Sequence, residues 1–302
     1  MKHVVSVSLG SKRRDTDQVV TILGEEVRIE RRGVDGDVRA ARALIASLDG
    51  QVDAIGLGGI DLYLRWGTRR YFFREARYLA EAAKRTPVVC GAGLKHTLER
   101  RTIDLLDRSV GWRDRRVLLT GAVDRFGMAE ALIRYGADLR FGDLAFAFGV
   151  PIFLRSARAL DAVARTLAPI AVQLPVKWIY STGGAQDTGA TTERYAQRYR
   201  WAEVIAGDWH MIRRFAPASM DGLMVLTNTT TRDDVAFLRS AGVARLVTTT
   251  PRFGGRSLAT NLLEAAMVAV HGGLLDDAAF AAALDAMAYA PTEIALDDAE
   301  DR

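Results

Sequence analysis

Lys95 closes a glycine-rich stretch, Gly91-Ala92-Gly93-Leu94-Lys95-His96, and Asp61 closes another, Gly56-Leu57-Gly58-Gly59-Ile60-Asp61. A lysine at a glycine-rich strand end can orient an oxyanion, or act as a general acid or base once desolvated. An aspartate on the neighbouring strand end can pair with it. Such a couple suits proton transfer in a hydroxyl–ketone interconversion. Lys95 and Asp61 are therefore the candidate catalytic residues. The competing reading of Lys95 is an exposed residue at a helix start, and His96 reads as structural.

A second constellation is Gly121-Ala122-Val123-Asp124-Arg125-Phe126-Gly127, between an apolar strand at 116–120 and a helix at 126–135. Strand, glycine turn and helix are the context of a dinucleotide motif, in which N–H groups at the helix start hold a pyrophosphate. Asp143 lies 22 residues beyond Gly121, where a carboxylate binds ribose hydroxyls and disfavours a 2′-phosphate. NAD is thus the expected cofactor, with NADP second. The cofactor set is Gly121, Ala122, Arg125, Phe126, Gly127 and Asp143, joined by Asp208, Asn228 and Thr229 at later strand ends. The three-glycine pattern is incomplete, and Asp124 brings a negative charge. Asp124 either caps the helix or faces away beside Arg125, and a purely structural turn is the alternative.

Substrate contacts are expected from Lys12, Arg13, His210, Arg256 and Asn261. Gly254-Gly255-Arg256-Ser257 reads as a turn before a helix that can hold an anion, with Ser257 as a plain N-cap the alternative. Four well-separated histidines and a single cysteine, Cys90, give no metal-ligand spacing and no internal disulfide.

These residues need a frame. Short apolar strands are expected at 4–9, 52–57, 88–91, 116–120, 139–141, 204–206, 223–227 and 246–248, with hairpins at 19–29 and 62–73. Helices are expected at 37–48, 74–84, 94–110, 126–135, 156–167, 232–241 and 258–270. Alternating strands and helices imply an α/β fold of two units, the second a Rossmann-like, mainly parallel sheet with helices on both faces. The expected domains are 1–112 on the substrate side, 113–255 for the nucleotide, and C-terminal helices at 256–302 packing across both. Every strand end carries glycine or small hydroxyl residues, which suits a shared ligand cleft.

The chain has 302 residues, a formal net charge of +4, 49% hydrophobic and 26% charged residues. That is ordinary globular composition. Arginine is spread rather than striped, so no nucleic-acid partner is expected. No apolar run approaches a membrane span. The chain reads as soluble and cytoplasmic, and its alanine-rich 258–288 region allows a homodimer.

Gly207-Asp208-Trp209-His210-Met211-Ile212-Arg213-Arg214, Leu226-Thr227-Asn228-Thr229-Thr230-Thr231, and Leu246 to Pro251 with Gly255-Arg256-Ser257 and Thr260-Asn261 resemble bacterial proteins labelled quinate 5-dehydrogenase. Thr86-Pro87-Val88-Val89 and Gly93-Leu94-Lys95 with Thr97-Leu98-Glu99 resemble the first half of the same family. The resemblance spans nearly the whole chain and implies a Rossmann-type oxidoreductase. Shikimate and quinate dehydrogenases carry a lysine and an aspartate between two domains, and Lys95 and Asp61 are analogous by position. The resulting expectation is NAD(P)-dependent hydride transfer on a hydroxylated cyclic acid, quinate- or shikimate-like, in an interdomain cleft. The alternatives are a non-catalytic nucleotide- or metabolite-binding protein, and a transferase using a nucleotide-activated donor.

Overall fold

The computed structural model describes residues 1–175, 192–253 and 256–296. β1 (Lys2–Ser8) is buried from Val4 onward. It lies parallel between β3 (Glu25–Gly33) and β4 (Ala54–Gly58). β2 (Thr16–Ile22) returns into β3 as the expected hairpin, through Leu23 and Gly24 at φ of 52° and 81°. Positive φ at both turn residues matches the twist of the flanking strands. Asp37 caps α1 (Val38–Leu48) by accepting from Arg39 and Ala40 N–H, and the helix buries Ala41, Ile45 and Leu48. β5 (Tyr63–Trp66) and β6 (Arg69–Phe72) form an antiparallel ribbon. α2 (Arg74–Ala80), β7 (Val88–Val89) and α3 (Ala92–Val110) follow.

The next stretch holds β8 (Arg116–Leu119), α4 (Phe126–Tyr135), β9 (Asp138–Phe141), α5 (Asp143–Phe148), α6 (Ala157–Ala171) and α7 (Ala196–Trp201). It continues with β10 (Val204–Ala206), α8 (Trp209–Arg214), β11 (Met224–Thr227), α9 (Arg232–Ser240), β12 (Arg245–Thr248), β13 (Arg252–Phe253) and β14 (Arg256–Ser257). Gly136 ends α4 at φ 78°, as expected. α10 (Thr260–His271), α11 (Asp277–Ala286) and β15 (Thr292–Ala295) complete the chain's elements.

Two α/β units result. The first is Met1–Leu98, Arg165–Thr188 and Ala259–Tyr289, and the second is Glu99–Ala164, Gly189–Leu258 and Ala290–Arg302. The first unit's five-stranded sheet runs β2-β3-β1-β4-β7, parallel except for β2. α10 is buried through most of its length and packs on β1 and β4. The second unit's six-stranded sheet runs β15-β12-β11-β10-β8-β9, parallel except for the edge strand β15. Leu118, Ile205, Val225 and Leu246, one from each of four adjacent strands, form its core with Phe146, Tyr195, Tyr199 and Phe215. After β9 the chain returns to the far side of β8 to lay down β10. The carboxyl ends of β8 and β10 therefore flank a topological switch point.

Two expectations shift. α5, α7 and α8 were not foreseen, because helices of six residues are too short to show a 3.6-residue period. The expected anion turn before α10 is not a helix start: Ser257 lies in β14, and Ala259 occupies the cap position without a side-chain bond. Gly254 and Gly255 lie outside the described residues, as does the polar tail 297–302. Among the described residues no helix is long and apolar enough to cross a membrane.

Candidate functional site

Thr120 follows β8, Gly207 and Asp208 follow β10, and Thr227 ends β11 with Asn228 after it. These carboxyl ends are where open α/β sheets bind ligands. Arg125 holds the centre. Its side chain is 2% exposed and is bonded to Glu99, which is 1% exposed, and to Asp208 Oδ2 at 3.1 Å. Asp208 Oδ1 accepts from His210 N–H at 2.9 Å, which caps α8, while Asn228 Nδ2 donates to Asp208 Oδ2 at 3.3 Å. Asn228 Oδ1 in turn accepts from Trp209 N–H at 3.3 Å and from the Thr227 hydroxyl at 3.1 Å. Asp208, 30% exposed, is where this chain of bonds reaches solvent. Thr120 Oγ1 is buried against Gly207 and has no hydrogen-bond partner among the described residues.

The glycine turn is closed by the protein itself. Asp143 Oδ1 accepts from Val123 N–H at 2.8 Å, and the same carboxylate takes Ala122 N–H. Burial pushes the Asp143 carboxyl up to about 6, against the pull of those bonds. The N–H groups expected to hold a pyrophosphate are thus taken by an internal carboxylate, and Asp143 is buried rather than presented to a ribose. The turn does not fit a dinucleotide. Arg125 sits at the cap position of α4 and makes no side-chain cap bond there. Phe126 is half-buried and Gly127 fully buried in the first turn of α4.

In the first unit Lys95 Nζ lies 3.0 Å from Asp61 Oδ2, each side chain 12% exposed. Lys95 comes from the start of α3 and Asp61 follows β4, so adjacent strand ends bring them together. Beside them is Glu264 of α10, whose carboxylate takes the N–H groups of Gly91, Leu94 and Gly93 at the start of α3. The acid thus caps a helix from another element. Burial pushes it up to about 7, partly offset by those bonds and by Lys95. Glu264 Oε2 is buried without a hydrogen-bond partner among the described residues. Burial also raises Cys90, assisted by Asp61 and Glu264, and raises Tyr63, assisted by Glu264, so both stay neutral.

Gly56, Gly91 and Gly93 make room for α10. A Cβ at Gly93 would stand 2.4 Å from Glu264 Oε1, and one at Gly56 would stand 3.0 Å from Asn261 Nδ2. Gly93→Ala is expected to destabilise the first unit, displacing the Glu264 carboxylate from the α3 start. Urea denaturation checks it, and an unchanged midpoint would show that the carboxylate moves aside freely.

The other expected residues scatter. Lys12 and Arg13 are exposed in a short 3-10 turn, Lys12 pairing with Asp35 at 3.6 Å. Asn261 is buried and donates to Ser6 Oγ at 2.6 Å. His210 and Thr229 are half-buried at the second unit's strand ends, and Arg256 falls in β14. Glu99 and Glu264 were not foreseen as site residues. Glu264 carries a signal, as a lone acid within an apolar helix, whereas Glu99 in Glu99-Arg100-Arg101 looks like any solvated face. Among the described residues no group of three or more His, Cys, Asp and Glu could hold a metal ion.

A family model described as a domain of unknown function, DUF8754, matches residues 93–296, more than half of the chain. The chain belongs to the DUF8754 family. A second model of that description, DUF8753, matches residues 3–90 of this DUF8754 chain. No curated protein matches it. Solved structures similar to it include a sugar transport substrate-binding protein from Bordetella parapertussis, at 13% identity, covering 100% of this chain and 92% of that one, TM-score 0.39. A solute-binding protein from Actinobacillus succinogenes with bound D-allose is 8% identical, covering 100% of both chains, TM-score 0.40. A glucose–galactose binding protein from Geobacillus stearothermophilus is 10% identical, covering 99% of both, TM-score 0.40. Likenesses this distant carry nothing about what the DUF8754 chain binds.

The quinate 5-dehydrogenase resemblance does not hold. The matching family models are described only as domains of unknown function, and the turn expected to hold the dinucleotide is closed by Asp143. The NAD(P)-dependent oxidoreductase reading falls with it, as does NAD or NADP as cofactor. The closed turn at Asp143 is the physical reason within the DUF8754 chain itself.

Proposed function

We propose that this protein binds a small, hydroxyl-rich metabolite without transforming it, at the second unit's switch point. One observation carries the reading: Asp208 is fixed by Arg125, Asn228 and its own helix cap, yet remains 30% exposed. A carboxylate and an amide locked in place offer acceptors and donors at set spacing, which suits neighbouring hydroxyls of a polyol or sugar. Glu99 and Asp208 share the single guanidinium of Arg125, which holds the Asp208 carboxylate in place.

Calorimetric titration against a panel of polyols, sugars and sugar acids tests it. One class is expected to bind unchanged. Asp208→Asn is expected to weaken that binding roughly 10- to 100-fold, since a hydrogen bond to a charged group is worth about 1.5–3 kcal/mol. Unaltered affinity in Asp208→Asn, or turnover of the bound compound, would overturn the proposal.

A further inference from the structure

At the other end of the second unit's sheet, beneath the amino ends of β10, β11 and β12, lies a groove of about 710 Å³. It shares no residue with the Asp208 crevice. Small-molecule sites span roughly 300–1,000 Å³, so the volume suits a metabolite. Val204, Leu223 and Met224, all buried, form its apolar floor, while Arg115, Arg200 and Arg245 contribute guanidinium groups.

Two of those guanidinium groups are already committed. Arg115 bonds Glu203 at 2.6 Å, and Arg245 bonds Glu293 and, at 3.1 Å, Ser109 Oγ. Glu203 also takes Arg116 N–H at 3.1 Å, and these partners hold its carboxyl below the usual range. Asp221, the other acid in the lining, is exposed and bonded to Ser219 at 2.5 Å. Arg200 is different: exposed on α7, it has no acidic partner among the described residues. The groove therefore has a mixed lining in which Arg200 is a guanidinium without an acidic partner among the described residues and Asp221 is a carboxylate held by the Ser219 hydroxyl.

We propose that this groove binds a small amphipathic anion, an oxyanion group carried on an apolar, ring-sized body. The oxyanion lies in the planar fork of Arg200, which matches carboxylate and phosphate geometry. The body lies over the groove floor at Val204, Leu223 and Met224, and the apolar surface removed from water is mainly its own. Glu203 stays with Arg115 and Arg116, so it does not compete for Arg200.

Phenyl phosphate is the probe, titrated calorimetrically into the full chain, with inorganic phosphate and benzyl alcohol as its two halves. Phenyl phosphate is expected to bind one to one, and each half at least tenfold more weakly. Arg200→Ala, at an exposed position, is expected to weaken phenyl phosphate fivefold or more. Asp208→Asn is expected to leave phenyl phosphate binding as it is, which separates this site from the crevice. Equal binding of inorganic phosphate, full affinity in Arg200→Ala, or loss of affinity in Asp208→Asn would each overturn the proposal.

Discussion

Arg125→Met is expected to destabilise the second unit by about 3–5 kcal/mol, because it removes the guanidinium paired with the buried Glu99 carboxylate. The two side chains are 2% and 1% exposed, so water cannot take over the role of either. Methionine keeps length and apolar bulk while removing the charge. Adding Glu99→Gln to the same chain should recover most of the loss, since the buried side chain is then neutral. Urea denaturation of wild type, both single variants and the double variant closes the cycle. If Arg125→Met alone costs under about 1 kcal/mol, the pair is not holding this unit together in the way a buried pair does.

The same cycle separates scaffold from site. In the double variant Asp208 has lost the guanidinium that fixes it at 3.1 Å, although the interior is again neutral at that point. A folded double variant with weakened metabolite binding would place Arg125 as a positioning residue for Asp208. The arrangement also explains why the turn repels a pyrophosphate. Asp143 already occupies the Val123 and Ala122 N–H groups, and further phosphate charge would sit against that carboxylate.

Much of the frame was legible because local rules and tertiary demands agree. Asp37 precedes an amphipathic run and caps it, and Gly136 ends α4 in the left-handed conformation. The buried strands read as short apolar runs because helices cover the parallel sheets. The strand-end glycines were legible as positions but ambiguous in meaning. Glycine admits any close neighbour, and only the fold shows that at Gly56 and Gly93 the neighbour is α10. Lys95 and Asp61 follow parallel neighbours, so their contact is a consequence of pairing between β4 and β7. The turn at 121–127 misled for a related reason. Strand, glycine and helix describe a backbone path, whereas occupancy of its N–H groups depends on a side chain from beyond the next strand.

Glu264→Gln is expected to remove a pH dependence from the first unit's stability between about pH 4.5 and 7. The Glu264 carboxyl titrates near 4.5 in the unfolded chain and near 7 when folded. The folded state therefore holds the proton more tightly. The stability this lends is full below pH 4.5, declines as pH rises, and is gone above about 7. A gap of that size corresponds to about 3 kcal/mol. Glutamine keeps the volume and an acceptor oxygen for the α3 N–H groups, but cannot ionise. At pH 8 the variant is expected to be the more stable protein. At pH 4.5 the two should be close. Asp143 runs the same way in the second unit, up to about 6, and Asp49 is already ionised throughout this window, being held at about 2 by backbone bonds. Both are common to wild type and variant, so the difference between their urea midpoints against pH isolates Glu264. Parallel curves would mean that Glu264 remains ionised in the folded protein across this range, with Lys95 and the α3 N–H groups outweighing its burial.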